Sequence, residues 1–435
     1  MEPLRSDGRY VAAGGDPAGT AGTAADDGPG QSFPVPDTGV PVRPGPLDIL
    51  FVGILPPQRG GGGISCGELV SGLGQLGHRV RALAPIPEEA LRAGDAFASA
   101  HPEVEVRRFL VPAYTIDPLL PPPAGYRERE HRQIQEMLPA MVGAERPDVI
   151  LIGRGAFVLD VPDIARAHGV PTVLRSAGAT SIGILDGLFP TGHAAELLRQ
   201  YHKVDLIVCP AVHLAERLRQ AGLSRVTVIP NSVNDQLFTP QPKNPQLLRH
   251  LAIPAGHVVV LHASNLKPLK RPFDLVSAAA RAVGRSTGLT YVIVGDGPLR
   301  ADIEQACRVE GVAEHLRFVG WVDYAEMPMY VNLADIVVMP SEGEGLSRVY
   351  LETMACGRVL LASDIPAARE AIRDGQTGVL FRKGDVADLT AKLLWLAGNP
   401  ELRTEIGRRA RQHAQTRELG RTVAQYASVL REVAR

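Results

Sequence analysis

Aromatic side chains make up only 5% of this chain, and its four cysteines, Cys66, Cys209, Cys307 and Cys356, stand far apart. No Cys-x-x-Cys pair or His/Cys cluster at ligand spacing occurs. A disulfide framework and a structural metal site are therefore excluded, and thiol catalysis is argued against. No uninterrupted apolar run reaches the roughly 18 residues that a membrane helix needs. The opening residues also lack the apolar core of a signal peptide. A reduced, cytoplasmic setting is expected. Net charge is −1, which excludes a polybasic nucleic-acid or membrane binder. Lysine is scarce while Ala, Gly, Pro and Arg abound, a composition associated with high-GC bacteria.

What is present is a chain of 435 residues, long enough for two or three domains. Residues 1–45 are Gly, Ala, Asp, Pro and Thr with few large apolar groups, and read as a disordered tail. Alternating apolar runs and helical patterns follow, with strands expected at 47–52, 80–83, 104–111, 148–152, 172–175, 206–210 and 226–230. A second series is expected at 257–263, 291–294, 316–319, 335–339, 359–362 and 379–381. A Pro-rich stretch, 240–245, reads as a hinge. Two such series predict an α/β protein with two doubly wound, Rossmann-like domains facing across a cleft. The expected parts are 46–235, 236–418 and a closing helical segment, 419–435, the end of one helix expected over 401–433. A charged helix, 126–137, reads as a solvated face. A helix is also predicted over 67–76, preceded by a loop holding Gly60 to Gly63, where backbone can approach a phosphate. No Gly-Lys-Ser/Thr follows, so this is not a P-loop. A plain flexible linker is the alternative.

The most informative stretch runs from Met339 to Gly357, where a buried strand enters a Gly-rich loop and a short helix stopped by Gly357. Ser347 is the N-cap candidate. Glu344 lies in the loop and Glu352 one turn into the helix. Free N–H groups at such a corner favour anions, so carboxylates there need another role. A carboxylate can accept hydrogen bonds from both hydroxyls of a vicinal diol. The pair therefore suits a sugar and a ribose with phosphate between them. Two glutamates alone would equally fit surface acids near a helix start.

With its Pro-Ser lead-in, its glycines at 343 and 345 and its Met-Ala-Cys-Gly ending, this segment resembles glycosyltransferase family 4. These are retaining enzymes of GT-B fold whose signature is Glu, seven residues, Glu. The resemblance implies transfer of a sugar from a nucleoside-diphosphate donor, UDP- or GDP-linked, to a small acceptor, without metal or other cofactor. Lys267, Lys270 and Glu344 are then the candidate catalytic residues, the lysines meeting the charge of the departing diphosphate. Donor binding falls to Glu352 (ribose), Gly345, Leu346, Ser347, Gly320, Trp321 and Asn265. Gly61, Gly62, Gly63, Arg175 and Ser176 would face the diphosphate and acceptor. Arg175 could instead serve in a structural ion pair, and Trp321 in the core.

Some positions depart from the family pattern. Asn265 stands where an arginine is usual, leaving Lys267 to take over. Arg175-Ser176-Ala177-Gly178 stands in place of a His-Gly pair, and Ser232 replaces the glycine of Pro-Asn-Gly-Val-Asp. The Lys267–Lys270 loop is similar to that of glycosyltransferases in the bacillithiol and mycothiol pathways. Nucleotide sugar and acceptor are the expected partners, with a second copy of the chain as a further candidate. The rival readings are a GT-B nucleotide-sugar epimerase or hydrolase, and a non-catalytic nucleotide-sugar-binding subunit.

Overall fold

The computed structural model describes residues 45–58, 60–112, 125–283, 285 and 288–435. The tail reading at the N-terminus therefore lies outside the described residues. Seven strands form a first, all-parallel sheet: β1 Asp48–Val52, β2 Arg79–Pro87, β3 Val104–Val111, β4 Val149–Ile152, β5 Thr172–Arg175, β6 Leu206–Cys209 and β7 Val226–Val228. Their order is β3-β2-β1-β4-β5-β6-β7. A second parallel sheet contains β8 Val258–Ala263, β9 Leu289–Val294, β10 Leu316–Gly320, β11 Ile336–Met339, β12 Val359–Ser363 and β13 Val379–Phe381. Its order is β10-β9-β8-β11-β12-β13.

Period-two alternation sends neighbouring side chains to opposite faces, so each sheet feeds two cores. Leu50 and Val52 join one cluster while Ile49 and Phe51 join the other. In the second sheet Val259 and Leu261 pack away from Val260. Both faces are covered by helices, which is why these strands read as nearly continuous apolar runs. In each sheet the strand order reverses at one crevice, between β1 and β4 and between β8 and β11. Ligands of open α/β sheets bind outside the carboxyl ends of strands at such points.

The chain leaves the first sheet after β7 and returns near residue 418, where Val233 pairs with Glu418. The last helix, Leu419–Val433, then buries Val423, Tyr426, Ala427, Val429 and Leu430 against Ile49, Phe51 and Val173 of the first sheet. Gly72 on the first helix makes room for it, since a Cβ there would lie 2.6 Å from Val423.

Three local expectations need correction. The first helix starts at Gly61, not 67, so Gly61, Gly62 and Gly63 form its opening turn. Tertiary packing outweighs the poor helix propensity of glycine there. The charged helix runs on through Pro139 to Ala144 and is not simply solvated. It buries Glu130, which pairs with Arg154 and Arg127. The single helix expected over 401–433 is two, Pro400–Ala414 and Leu419–Val433, because the chain must turn at the crossover. Among the described residues, no helix is long and apolar enough to cross a membrane.

Candidate active site

The carboxyl ends of β1, β5, β8 and β11 converge on a cavity of about 260 Å³ with walls from both sheets. The first half supplies Gly60, Gly61, Gly62, Arg175 and Asn231. The second supplies Asn265, Lys270, Trp321, Glu344 and Glu352, with the backbone of Gly345, Leu346 and Ser347 between the acids. The two halves meet backbone to backbone at Gly178 and Gly345. A Cβ on Gly345 would lie 3.0 Å from Cα of Gly178 and 3.1 Å from the Ala177 carbonyl oxygen. This contact is the physical reason for glycine at both places.

Lys270 closes a short 3-10 turn, Pro268–Lys270, beyond β8. Its Nζ donates to Glu344 Oε1 at 2.5 Å, and Ser341 Oγ donates to the same oxygen at 2.8 Å. Glu344 is thus a fixed, charge-paired carboxylate and not a free arm. Beneath the pair lies His262, fully buried. Its Nδ1 sits 2.9 Å from the Val338 carbonyl and its Nε2 2.8 Å from Ser264 Oγ. The carbonyl can only accept, so Nδ1 carries the proton and Nε2 receives the serine hydroxyl. Burial is the main cause that lowers the imidazole to about 4, with Lys270 adding to it. His262 is therefore neutral at working pH, and Ser264 on the cavity wall is held by it.

Arg175 reaches the cavity from the end of β5. It donates to Ser65 Oγ at 3.0 Å and Asn231 Oδ1 at 3.3 Å. Among the described residues its partners are neutral, so the structural ion pair considered for it is not found. Asn231 in turn donates to the Leu346 carbonyl at 2.8 Å and so links Arg175 to the Gly345 loop. Sequence reasoning passed over Asn231 as a site residue, although the Pro230-Asn231-Ser232 segment was the signal.

Other expected residues stand elsewhere. Lys267 is buried and does not line the cavity, so the wall takes only the second lysine of the pair. Ser176 is buried with its hydroxyl on Ser181 at 2.7 Å, also off the wall. Gly63 is set back, because a Cβ there would strike the Gln58 carbonyl at 2.6 Å. Gly320 backs the site through its carbonyl, which accepts from Gly295 N at 2.7 Å, while Trp321 faces the cavity. Ser347 occupies the N-cap of the helix Arg348–Ala355 without a side-chain capping bond. Glu352 is buried, and burial raises its carboxyl above the usual range against the pull of Arg348.

Residues 59–237 match the family described as Glycosyltransferase Family 4, and residues 244–413 match Glycosyl transferases group 1. The chain belongs to glycosyltransferase family 4. Among relatives of this family-4 chain is the 2-deoxystreptamine N-acetyl-D-glucosaminyltransferase of Streptomyces fradiae. It is 30% identical over 56% of this chain and 61% of its own length. A D-inositol 3-phosphate glycosyltransferase of Nocardiopsis dassonvillei is 29% identical over 61% of this chain and 66% of its own. The chain thus spans somewhat under two thirds of either relative. In fold it is similar to Anabaena HepE in complex with UDP-glucose, with a TM-score of 0.72 at 19% identity, covering 88% of this chain and 99% of HepE. Sucrose-phosphate synthase of Thermosynechococcus elongatus gives 0.73 at 17% identity over 88% and 98%. The fold of this family-4 chain is GT-B.

Proposed function

We propose that this family-4 chain is a retaining glycosyltransferase that moves a sugar from a nucleoside-diphosphate donor, UDP-linked in the first instance, to a small polyhydroxylated acceptor. The observation that carries the reading is the meeting of two cations on one cavity, Lys270 from the second half and Arg175 from the first, beside the buried carboxylates Glu344 and Glu352. In the transfer, the bond from anomeric carbon to diphosphate oxygen breaks and a bond to the acceptor oxygen forms on the same face. The leaving oxygen takes up both negative charge and the acceptor's proton. Lys270, Arg175 and the opening turn of the helix Gly61–Gln75 stand where preorganised charge lowers that barrier most. Metal independence belongs to this proposal, since the side chains themselves supply the counter-charge.

Among the wall residues the carboxylates are Glu344 and Glu352, and each is salt-bridged. Neither is a free nucleophile, which favours front-face departure with the diphosphate as base. Glu352 is assigned to the ribose diol and Glu344 to sugar hydroxyls. UDP is chosen because HepE was solved with UDP-glucose. A cyclitol-like acceptor is chosen because two relatives are named for 2-deoxystreptamine and D-inositol 3-phosphate.

A thermal-shift panel of UDP, GDP, ADP and TDP tests the donor site, because a ligand raises stability by RT ln(1 + [L]/Kd). UDP is expected to give the largest shift. Product from the matching α-linked UDP-sugar should be α-linked by anomeric NMR coupling and should form equally with EDTA present. No shift with any diphosphate, or an inverted product, would defeat the proposal.

A further inference from the structure

We infer that Arg348 is a positioning residue that sets the Glu352 carboxylate for the donor nucleotide and, through Glu68, ties it to the opposite half of the cleft. The inference rests on reading the cavity as a nucleotide-sugar site. Arg348 is the first residue of the helix Arg348–Ala355 and is nearly buried, with 9% of its side chain exposed. Its Nη1 donates to Glu68 Oε2 at 2.7 Å and its Nη2 to Glu68 Oε1 at 3.3 Å, a two-pronged grip. Nη2 also donates to the Tyr324 hydroxyl, which donates onward to Glu68 at 3.3 Å. The guanidinium carbon lies 5.1 Å from the centre of the Tyr324 ring.

On its other side, Nε lies 3.4 Å from Glu352 Oε1, an ion-pair contact without an aligned hydrogen bond. One guanidinium therefore serves two carboxylates, the buried Glu352 and the half-buried Glu68, one from each half of the cleft. The helix Gly61–Gln75 also provides its space, since a Cβ on Gly61 would sit 3.3 Å from Arg348 Cδ.

Two buried carboxylates sharing a site cannot both stay ionised without a cation between them. The charged and titratable groups facing Glu352 are Arg348, Glu68 and Tyr324, with Cys356 nearby on the same segment. Arg348 is the cation among them. Removing it leaves Glu352 buried beside Glu68 without the pull that opposes its burial, so its neutral form gains as pH falls. A protonated carboxyl turns one acceptor oxygen into a donor and loses its charge, so it grips the two hydroxyls of a diol more weakly. Nucleotide affinity would then fall with falling pH, whereas an inert strut between the halves would leave the pH profile flat.

The test uses the full chain, with UDP and GDP binding measured by calorimetry at pH 6.5 and 8.5. The variants are R348M, R348K and E68Q, each first checked by thermal unfolding. For the wild type, the two Kd values should agree within about twofold. R348M should bind about tenfold more weakly at pH 6.5 than at 8.5, and R348K, which keeps the charge, should restore a flat profile. E68Q keeps the cation on Glu352 but loses the tie, so it should show wild-type Kd at both pH values with turnover lowered about tenfold. A folded R348M that binds like wild type at both pH values overturns the assignment of Arg348 alone. If R348M does not fold, E68Q decides, because pH-dependent binding in that variant overturns the inference. A wild-type chain that binds neither diphosphate defeats the nucleotide-sugar reading and this inference with it.

Discussion

Lys270→Met separates the structural and chemical work of the Lys270–Glu344 pair. Lys270 has 18% of its side chain exposed and Glu344 9%, so the substitution leaves a nearly buried carboxylate with Ser341 as its remaining donor. Removing one partner of a buried pair costs about 3–5 kcal/mol, and a site open to a cleft belongs at the low end, about 3 kcal/mol. Unfolding entropy is about 2.1 cal/mol/K per residue, so a chain of 435 residues shifts by roughly 1 °C per kcal/mol. The variant should melt roughly 3 °C below wild type. Turnover should fall about 10²- to 10³-fold, the scale for one preorganised partner of a developing anion. The double variant K270M/E344Q removes the orphaned charge and should regain stability to within about 1 kcal/mol. Its turnover should stay low, because the cation proposed to meet the diphosphate is still missing. Differential scanning fluorimetry and a released-nucleotide assay read the two effects separately. A wild-type rate in K270M, or a double variant that recovers rate with stability, would refute the reasoning.

Gly345→Ala should push the two halves apart against Gly178 and Ala177, an overpacking cost of about 1–3 kcal/mol. It should appear as a 10-fold or greater loss in kcat/KM with unchanged circular dichroism. Glu370 accepts from Val212 N, His213 N and His213 Nδ1 across the halves at 2.7, 2.8 and 2.6 Å. Burial works to raise its carboxyl, but the bonds from His213 and Val212 leave it below the usual range. Its stabilisation is present above the unfolded value and lost as pH falls through the folded one. The stability gap between wild type and Glu370→Gln, about 1 kcal/mol, should therefore hold at pH 6–8 and close in acid. His262 titrates near 4 when folded, mainly through burial, and near 6.5 when unfolded. Stability should fall from pH 6.5 toward 4, by up to about 1.4 kcal/mol per pH unit. His262→Asn should flatten that part of the urea-denaturation profile.

Much of this protein is written locally. The apolar runs at 149–152 and 336–339 are buried on both faces, and such runs between helical patterns imply parallel sheets whatever the details of packing. The acids eight residues apart in the Gly-rich corner marked the cavity, since both Glu344 and Glu352 line its wall. The limits of legibility are equally local. Gly61, Gly62 and Gly63 have poor helix propensity, yet they form a helical turn, with Arg348, Ile54 and Gln58 packed close where a Cβ would stand. Lys267 and Lys270 look equivalent in sequence, but one 3-10 turn leaves only Lys270 on the cavity wall.

The sequence by itself determined two alternating strand–helix series, a neutral charge balance and the acidic corner, since each depends on residue type and short spacing. Tertiary structure alone decided which residues meet across the cleft. Arg348 with Glu68 and Asn231 with Leu346 are separated by 280 and 115 positions. No local periodicity records such contacts, because they arise only when the carboxyl ends of two independently wound sheets face one cleft.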